Sequence, residues 1–179
     1  MKLTDILSGS FSAAEWERKG YELPKFNIAA LRKKTAEEPT WVHFGGGNIF
    51  RAFPAALLND ALNTGQYDRG VIVAETFDYE VIDKAYAPYG NLSLAVSLCS
   101  DGNIGKKVIA CVTEALKADF QFADWERLEA IFRKPSLQMI SFTITEKGYS
   151  YNEADLARGL RPVLAMGKVC ALLLERFRA

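Results

Sequence analysis

Histidine is almost missing from this chain: among 179 residues His43 stands alone. A metal site built on two histidines is therefore impossible within it, and a Ser/His or Cys/His pair would have to use that one residue. His43 lies between Val42 and Phe44 in a short apolar run, where it reads as a structural or supporting group. Cysteine is scarce too. Cys99, Cys111 and Cys170 are far apart and form no C-x-x-C pair, which excludes a zinc knuckle or a disulfide framework and fits reduced packing thiols in the cytosol. No apolar run approaches the roughly 20 residues of a membrane span, and the start, MKLTDILSGSFSAAEWERKG, has no unbroken apolar core of the signal-peptide kind. Neither sign of charge dominates: 22 basic and 22 acidic residues cancel without forming blocks, which argues against a nucleic-acid groove or an anionic membrane surface. The expected setting is cytoplasmic and the expected partners are small molecules or other proteins, with no metal.

What is present is enough apolar material for one substantial core, 49% of the residues, alternating with polar punctuation. Residues 1–39 read as an amino-terminal arm, with SAAE at 12–15 a capping-box start for a short helix ahead of Trp16. From Thr40 the character changes. TWVHF predicts a strand, three glycines follow, and NIFRAFPAALLNDALNTG predicts a helix with Phe50, Phe53, Leu57, Leu58, Ala61 and Leu62 on one apolar face. Pro54 lies beyond the first turn of that helix and should kink it. GVIVAET at 70–76 is nearly continuously apolar, as a buried parallel strand should be. A short helix from Asp78 ends at Pro88 and Gly90, and NLSLAVSL and KKVIACVTEAL flank an Asp101–Gly102 hairpin signal. FADWERLEAIFRK places Phe122, Trp125, Leu128, Ile131 and Phe132 on one helical face. LQMISFTITEKGY predicts another buried strand, and RPVLAMGKVCALLLERFRA a closing apolar helix. The pattern is α/β: a Rossmann-like, mostly parallel sheet with flanking helices and an inserted antiparallel hairpin, occupying 40–179.

A strand that feeds a glycine turn opening a helix is the geometry in which backbone N–H groups hold a pyrophosphate. Gly45 would make the tight turn, Gly47 would let phosphates approach, and Asn48 would begin the helix. The third glycine of G-x-G-x-x-G is replaced by Phe50. Glu75, 28 residues after Gly47, closes the second strand, where an acid can accept both ribose hydroxyls of an adenosine and would repel the 2′-phosphate of NADP. NAD is therefore the expected cofactor. The turn around Thr145 and Glu146 follows the end of a further strand, where open α/β sheets place ligands. Its neighbour Lys147 lacks the burial or cationic neighbour that tunes a catalytic lysine. The candidate cofactor-contacting set is Gly45, Gly46, Gly47, Asn48, Ile49, Phe50, Arg51, Glu75, Thr76, Thr145 and Glu146, and no catalytic residue is assigned. The same residues leave two alternatives open: an S-adenosylmethionine-dependent methyltransferase-like domain, and a non-catalytic nucleotide-binding or interaction module. In the last case Val163, Leu164, Val169, Leu172 and Leu173 would form an exposed apolar partner face.

HFGGGNIFRAF resembles the glycine motif G-x-G-x-F-H-R-A-H of the mannitol dehydrogenase family of long-chain polyol and hexuronate dehydrogenases, with Gly45, Gly47, Arg51 and Ala52 matching. Ile49, Phe50 and Phe53 replace that motif's aromatic and two histidines. SFTITEKGY is similar to the family's S-x-T-I-T-E-x-G-Y, with Thr143, Ile144, Thr145, Glu146, Gly148 and Tyr149 matching. The variant looks closest to the fructuronate (mannonate) and tagaturonate reductase branch. The resemblance implies an NAD-dependent oxidoreductase that moves hydride between nicotinamide and a secondary alcohol or ketone of a linear sugar acid or polyol. It also implies a general-base lysine in a helical carboxy-terminal domain beyond this chain, which would bind the sugar-acid substrate. The chain alone is then expected to be inactive, and the apolar face of its last helix to be a surface of contact with that domain.

Overall fold

In the computed structural model, which describes residues 1–143 and 165–178, strands β2 (Trp41–Phe44) and β3 (Val71–Glu75) lie side by side and parallel, with His43 opposite Val73 and Phe44 opposite Ala74. Both are buried almost throughout, which is why they carry no alternation of polar residues. β6 (Val112–Lys117) flanks β3 and β7 (Met139–Phe142) flanks β2, all parallel, giving the order β6-β3-β2-β7. Taken along the chain, that is third, second, first, fourth, the order of a Rossmann half-sheet with its switch point between β2 and β7.

The two faces of the sheet are covered by different helices. Val42, Phe44, Ile72 and Ala74 pack against Trp125, Leu128, Ile131 and Phe132 of α6 (Asp124–Phe132) and Val169 and Leu172 of α7 (Ala165–Arg178). Val71 and Val73 face the other way, onto Phe50, Leu58, Leu62, Ile82 and Tyr86. These come from α4 (Asn48–Ala52), α5 (Pro54–Asn63) and a π-helical turn over Ile82–Tyr86. Hairpin strands β4 (Ser93–Leu98) and β5 (Ile104–Ile109) are antiparallel, and β1 (Tyr21–Glu22) joins β5 to make a separate three-stranded sheet. Under it, Ile6 of α1 (Leu3–Ser8), Trp16 of α2 (Ala13–Arg18), Leu92, Val108 and Ala110 form a third core. Ser12 caps α2 by accepting the Glu15 N–H, and α3 (Ile28–Glu37) sends Leu31 into the main core.

Several expectations are corrected. The glycine-turn helix is two helices: Phe53 breaks it at φ −123°, ψ −74°, and Pro54 takes the first position of α5, where its missing N–H is harmless. The break changes the phase of the apolar stripe, so Phe53, Leu57 and Ala61 are exposed while Phe50, Ala55, Leu58 and Leu62 are buried. The strand expected over KKVIACVTEAL divides at Ala110–Cys111, β5 going to one sheet and β6 to the other. β7 is an edge strand among the described residues, half-buried rather than buried, with Met139 exposed. Val169 and Leu172 are fully buried against the sheet, so they form no exposed face; Val163 and Leu164 lie outside the described residues. Of the cysteines only Cys111 is a packing thiol, Cys99 and Cys170 being exposed. No described helix is long and apolar enough to cross a membrane.

Candidate functional site

Each of the three glycines after β2 is required by a different constraint, or by none. Gly45 has φ +101°, and a Cβ there would lie 2.4 Å from the Thr143 carbonyl oxygen, so the close approach of β2 to β7 excludes any side chain. Its N–H donates to the Ala74 carbonyl at 2.9 Å. Gly46 is buried: a Cβ would meet the Tyr86 ring at 3.0 Å and Val73 at 3.1 Å, and its carbonyl accepts the Tyr86 hydroxyl at 2.8 Å. Gly47 caps α4 with an extended backbone, and a Cβ there would meet nothing within 4 Å. Space is thus open at Gly47, and the first-turn N–H groups of Asn48 and Ile49 that follow it have no intrahelical acceptor. Asn48 and Ile49 are both exposed. With only five residues in α4, these N–H groups matter more than a helix dipole.

Phe50 points inward and is fully buried, its ring stacked on the His43 imidazole at 4.1 Å between centroids. A bulky ring therefore fills the contact that a third glycine would leave close-packed. His43 is itself fixed by a directional chain. Trp41 Nε1–H donates to Ser141 Oγ at 2.7 Å, so the Ser141 hydroxyl is free to donate to His43 Nδ1, also at 2.7 Å. On the other side Thr143 donates to the Gly45 carbonyl at 3.0 Å and accepts from His43 Nε2–H at 2.9 Å. The chain is satisfied by the neutral imidazole with its proton on Nε2. Burial pushes the His43 pKa down to about 4, against a smaller upward pull from the Gly45 backbone. With both nitrogens engaged, His43 anchors the strand pair that carries the glycine turn.

Glu75 ends β3 beside that turn, 7% exposed, and its carboxylate gathers the turn's N–H groups. Oε2 accepts from Gly46 N–H at 2.9 Å, and Oε1 from Thr76 N–H at 3.0 Å and Phe77 N–H at 3.3 Å. The structure thus brings Gly46 and Glu75 together at the carboxyl ends of β2 and β3. Thr76 is buried and its Oγ1 has no hydrogen-bond partner among the described residues; the same is true of Arg51 Nη1. Arg51 otherwise donates to Asn48 Oδ1 at 2.5 Å and lies 5.5 Å from the centre of the Tyr86 ring. Thr145, Glu146 and Lys147 lie outside the described residues.

Behind this rim sits a group that the sequence reading missed. Lys168 of α7, 2% exposed, pairs with Asp119 at 2.6 Å and also donates to the Thr76 carbonyl and the Tyr79 hydroxyl. Its only signal in the sequence was a lysine next to Val169 on the apolar side of a helix.

A parallel β6-β3-β2-β7 sheet, a glycine turn after its central strand and an acid at the end of the next define a Rossmann-type α/β unit. The chain is 51% identical over 177 residues to the D-mannonate oxidoreductase of Thermotoga maritima, covering 93% of this chain and 33% of that protein. It is 29% identical over 157 residues to the mannitol 2-dehydrogenase of Cereibacter sphaeroides, covering 80% of this chain and 32% of the relative. The chain therefore spans about a third of the length of these relatives. The Pseudomonas fluorescens mannitol 2-dehydrogenase, solved as a ternary complex with NAD and D-mannitol, superposes with a TM-score of 0.76, covering 99% of this chain and 36% of that one. At 22% identity this likeness shows the fold. No family model matches the chain. The resemblance to the mannitol dehydrogenase family read from the two motifs is borne out by these relatives.

Proposed function

We propose that residues 40–179 form the NAD-binding part of an oxidoreductase that moves hydride between NAD(H) and a secondary alcohol or ketone of a linear sugar acid or polyol, of the fructuronate/mannonate type. The observation that carries this reading is the pairing of Gly46 N–H with the Glu75 carboxylate beside the open space at Gly47. The N–H groups of Gly47, Asn48 and Ile49 would face the pyrophosphate; Arg51 Nη1 and Thr76 Oγ1, also without a partner among the described residues, are buried and could take part only if the rim opens. A carboxylate has about four acceptor sites, and three N–H groups already use Glu75. It can thus accept one ribose hydroxyl as it stands, and a second if the long Phe77 contact is released. The nicotinamide supplies or takes the hydride when bound. His43 is no base for that step, because its nitrogens are committed to Ser141 and Thr143, and we place the base and the substrate-binding groups outside the described residues.

The oxidoreductase names of the relatives favour this reading over a methyltransferase. Burial of Val169 and Leu172 takes two of the residues on which an interaction module would rest out of reach of a partner. Calorimetric titration of the chain with NADH, NADPH and S-adenosylmethionine tests the choice. NADH should bind in preference to NADPH, and Glu75→Gln should weaken NADH by about tenfold, the loss of one charge-assisted hydrogen bond. Binding of S-adenosylmethionine alone would overturn the proposal.

A further inference from the structure

Burying an ammonium is expensive, and a buried ion pair is often no more stabilising than apolar residues of the same size. Methionine at position 168 would continue the packing that Val169 and Leu172 make on the sheet. The lysine is instead satisfied completely. Its three N–H donors meet three acceptors: the Thr76 carbonyl at 2.8 Å, the Tyr79 hydroxyl at 2.6 Å and Asp119 Oδ2 at 2.6 Å. The Tyr79 proton has Asp119 Oδ2 at 2.9 Å and the Thr76 carbonyl at 3.0 Å, and Asp119 Oδ1 accepts the Gln121 N–H at 3.1 Å. Burial pushes the Asp119 carboxyl up, but Lys168, Gln121 and Tyr79 together outweigh it and hold it below the ordinary carboxylate range.

The acceptors come from two loops at the carboxyl ends of adjacent strands, Thr76 and Tyr79 after β3 and Asp119 after β6. The Thr76–Phe77 backbone inside the first loop is the one whose N–H groups grip Glu75 Oε1. Lys168 holds the carbonyl of Thr76 while the N–H of the same residue holds Glu75. We propose that Lys168 is a positioning residue, which acts through Thr76, Tyr79 and Asp119 to fix the segment after β3 and so to aim the Glu75 carboxylate at the cofactor place. Its consequence for affinity rests on the NAD reading above; its effect on Glu75 does not.

The test compares the wild-type chain with Lys168→Met/Asp119→Asn, which removes both charges and leaves neither orphaned, and with Leu172→Ala, which loosens the same helix without touching the loop. The milder Tyr79→Phe serves if the double variant does not fold. Urea unfolding, amide hydrogen exchange and NADH titration are read on each. In the double variant the Thr76 and Phe77 amides should exchange at least tenfold faster than in wild type, with Val42 unchanged, and NADH should bind about tenfold more weakly. In Leu172→Ala neither change should appear beyond what its lower global stability accounts for. Unchanged exchange in the double variant, or equal acceleration in Leu172→Ala, would overturn the proposal and leave Lys168 a helix pin. Failure of the wild-type chain to bind NADH would overturn the cofactor reading and the affinity consequence with it, while the exchange comparison still decides whether Lys168 positions Glu75.

Discussion

The Phe50 ring lies nearly parallel to the His43 imidazole, 4.1 Å between centroids and 18° between planes. Phe50 thereby joins the turn helix to the strand that precedes the glycines. Truncation to alanine should cost about 3–5 kcal/mol, the range for a fully buried phenylalanine, since Phe50 is 0% exposed. Urea unfolding monitored by circular dichroism measures it, and a loss under about 1 kcal/mol would show that the ring does not hold the helix down.

His43 gives the chain a readable acid response. Its pKa is depressed to about 4 in the folded state, against about 6.5 unfolded. Between those values the unfolded chain binds the extra proton, so the stability contributed by neutral His43 is complete above about 6.5 and is lost as pH falls toward 4. As the single histidine, its ring resonances are unambiguous in an NMR titration. A midpoint near 6.5 would contradict the buried, doubly bonded imidazole.

Gly45 and Gly47 should respond oppositely to alanine. At Gly45 the new Cβ would collide with the Thr143 carbonyl at a φ of +101°, so the variant should lose more than about 3 kcal/mol or fail to fold. At Gly47 the space is open, so stability should change by less than about 1 kcal/mol, while NADH affinity falls by about tenfold because the methyl enters the place of the phosphates. Equal stability losses would refute the division of labour in the turn.

Leu172 of α7 tests the seating of the last helix. It is fully buried among Val42, Phe44 and Phe132 of the same core, and Leu172→Ala should cost about 2–5 kcal/mol. A surface leucine, as a partner face would require, would cost almost nothing.

Much of this was legible beforehand. Strand, glycine turn, helix and strand stood in the sequence because a parallel strand buried on both faces must be apolar throughout, as Val71–Ala74 are, and because a chain that reverses in one residue needs the freedom of Gly45. Glu75 was legible for the same reason, as the one acid that ends such a run. The motifs GGGNIFRA and TITEKGY carried the family likeness. The phase of the apolar stripe beyond Pro54 was not legible, because a break at Phe53 resets which residues share a face.

By itself, then, the sequence determined the local grammar around the turn: that TWVHF and GVIVAET are buried strands, that the backbone between the first of them and its helix must turn at a glycine, and which acid stands beside the glycines. Tertiary structure alone decided the distribution of elements between sheets, since Ala110–Cys111 gives no local sign that β5 and β6 part. It also decided the partners of Lys168, a lysine 89 residues from Tyr79 and 92 from Thr76. Periodicity and turn propensity act over a few residues, whereas hydrogen-bond satisfaction of a buried charge depends on whatever the fold brings within 3 Å.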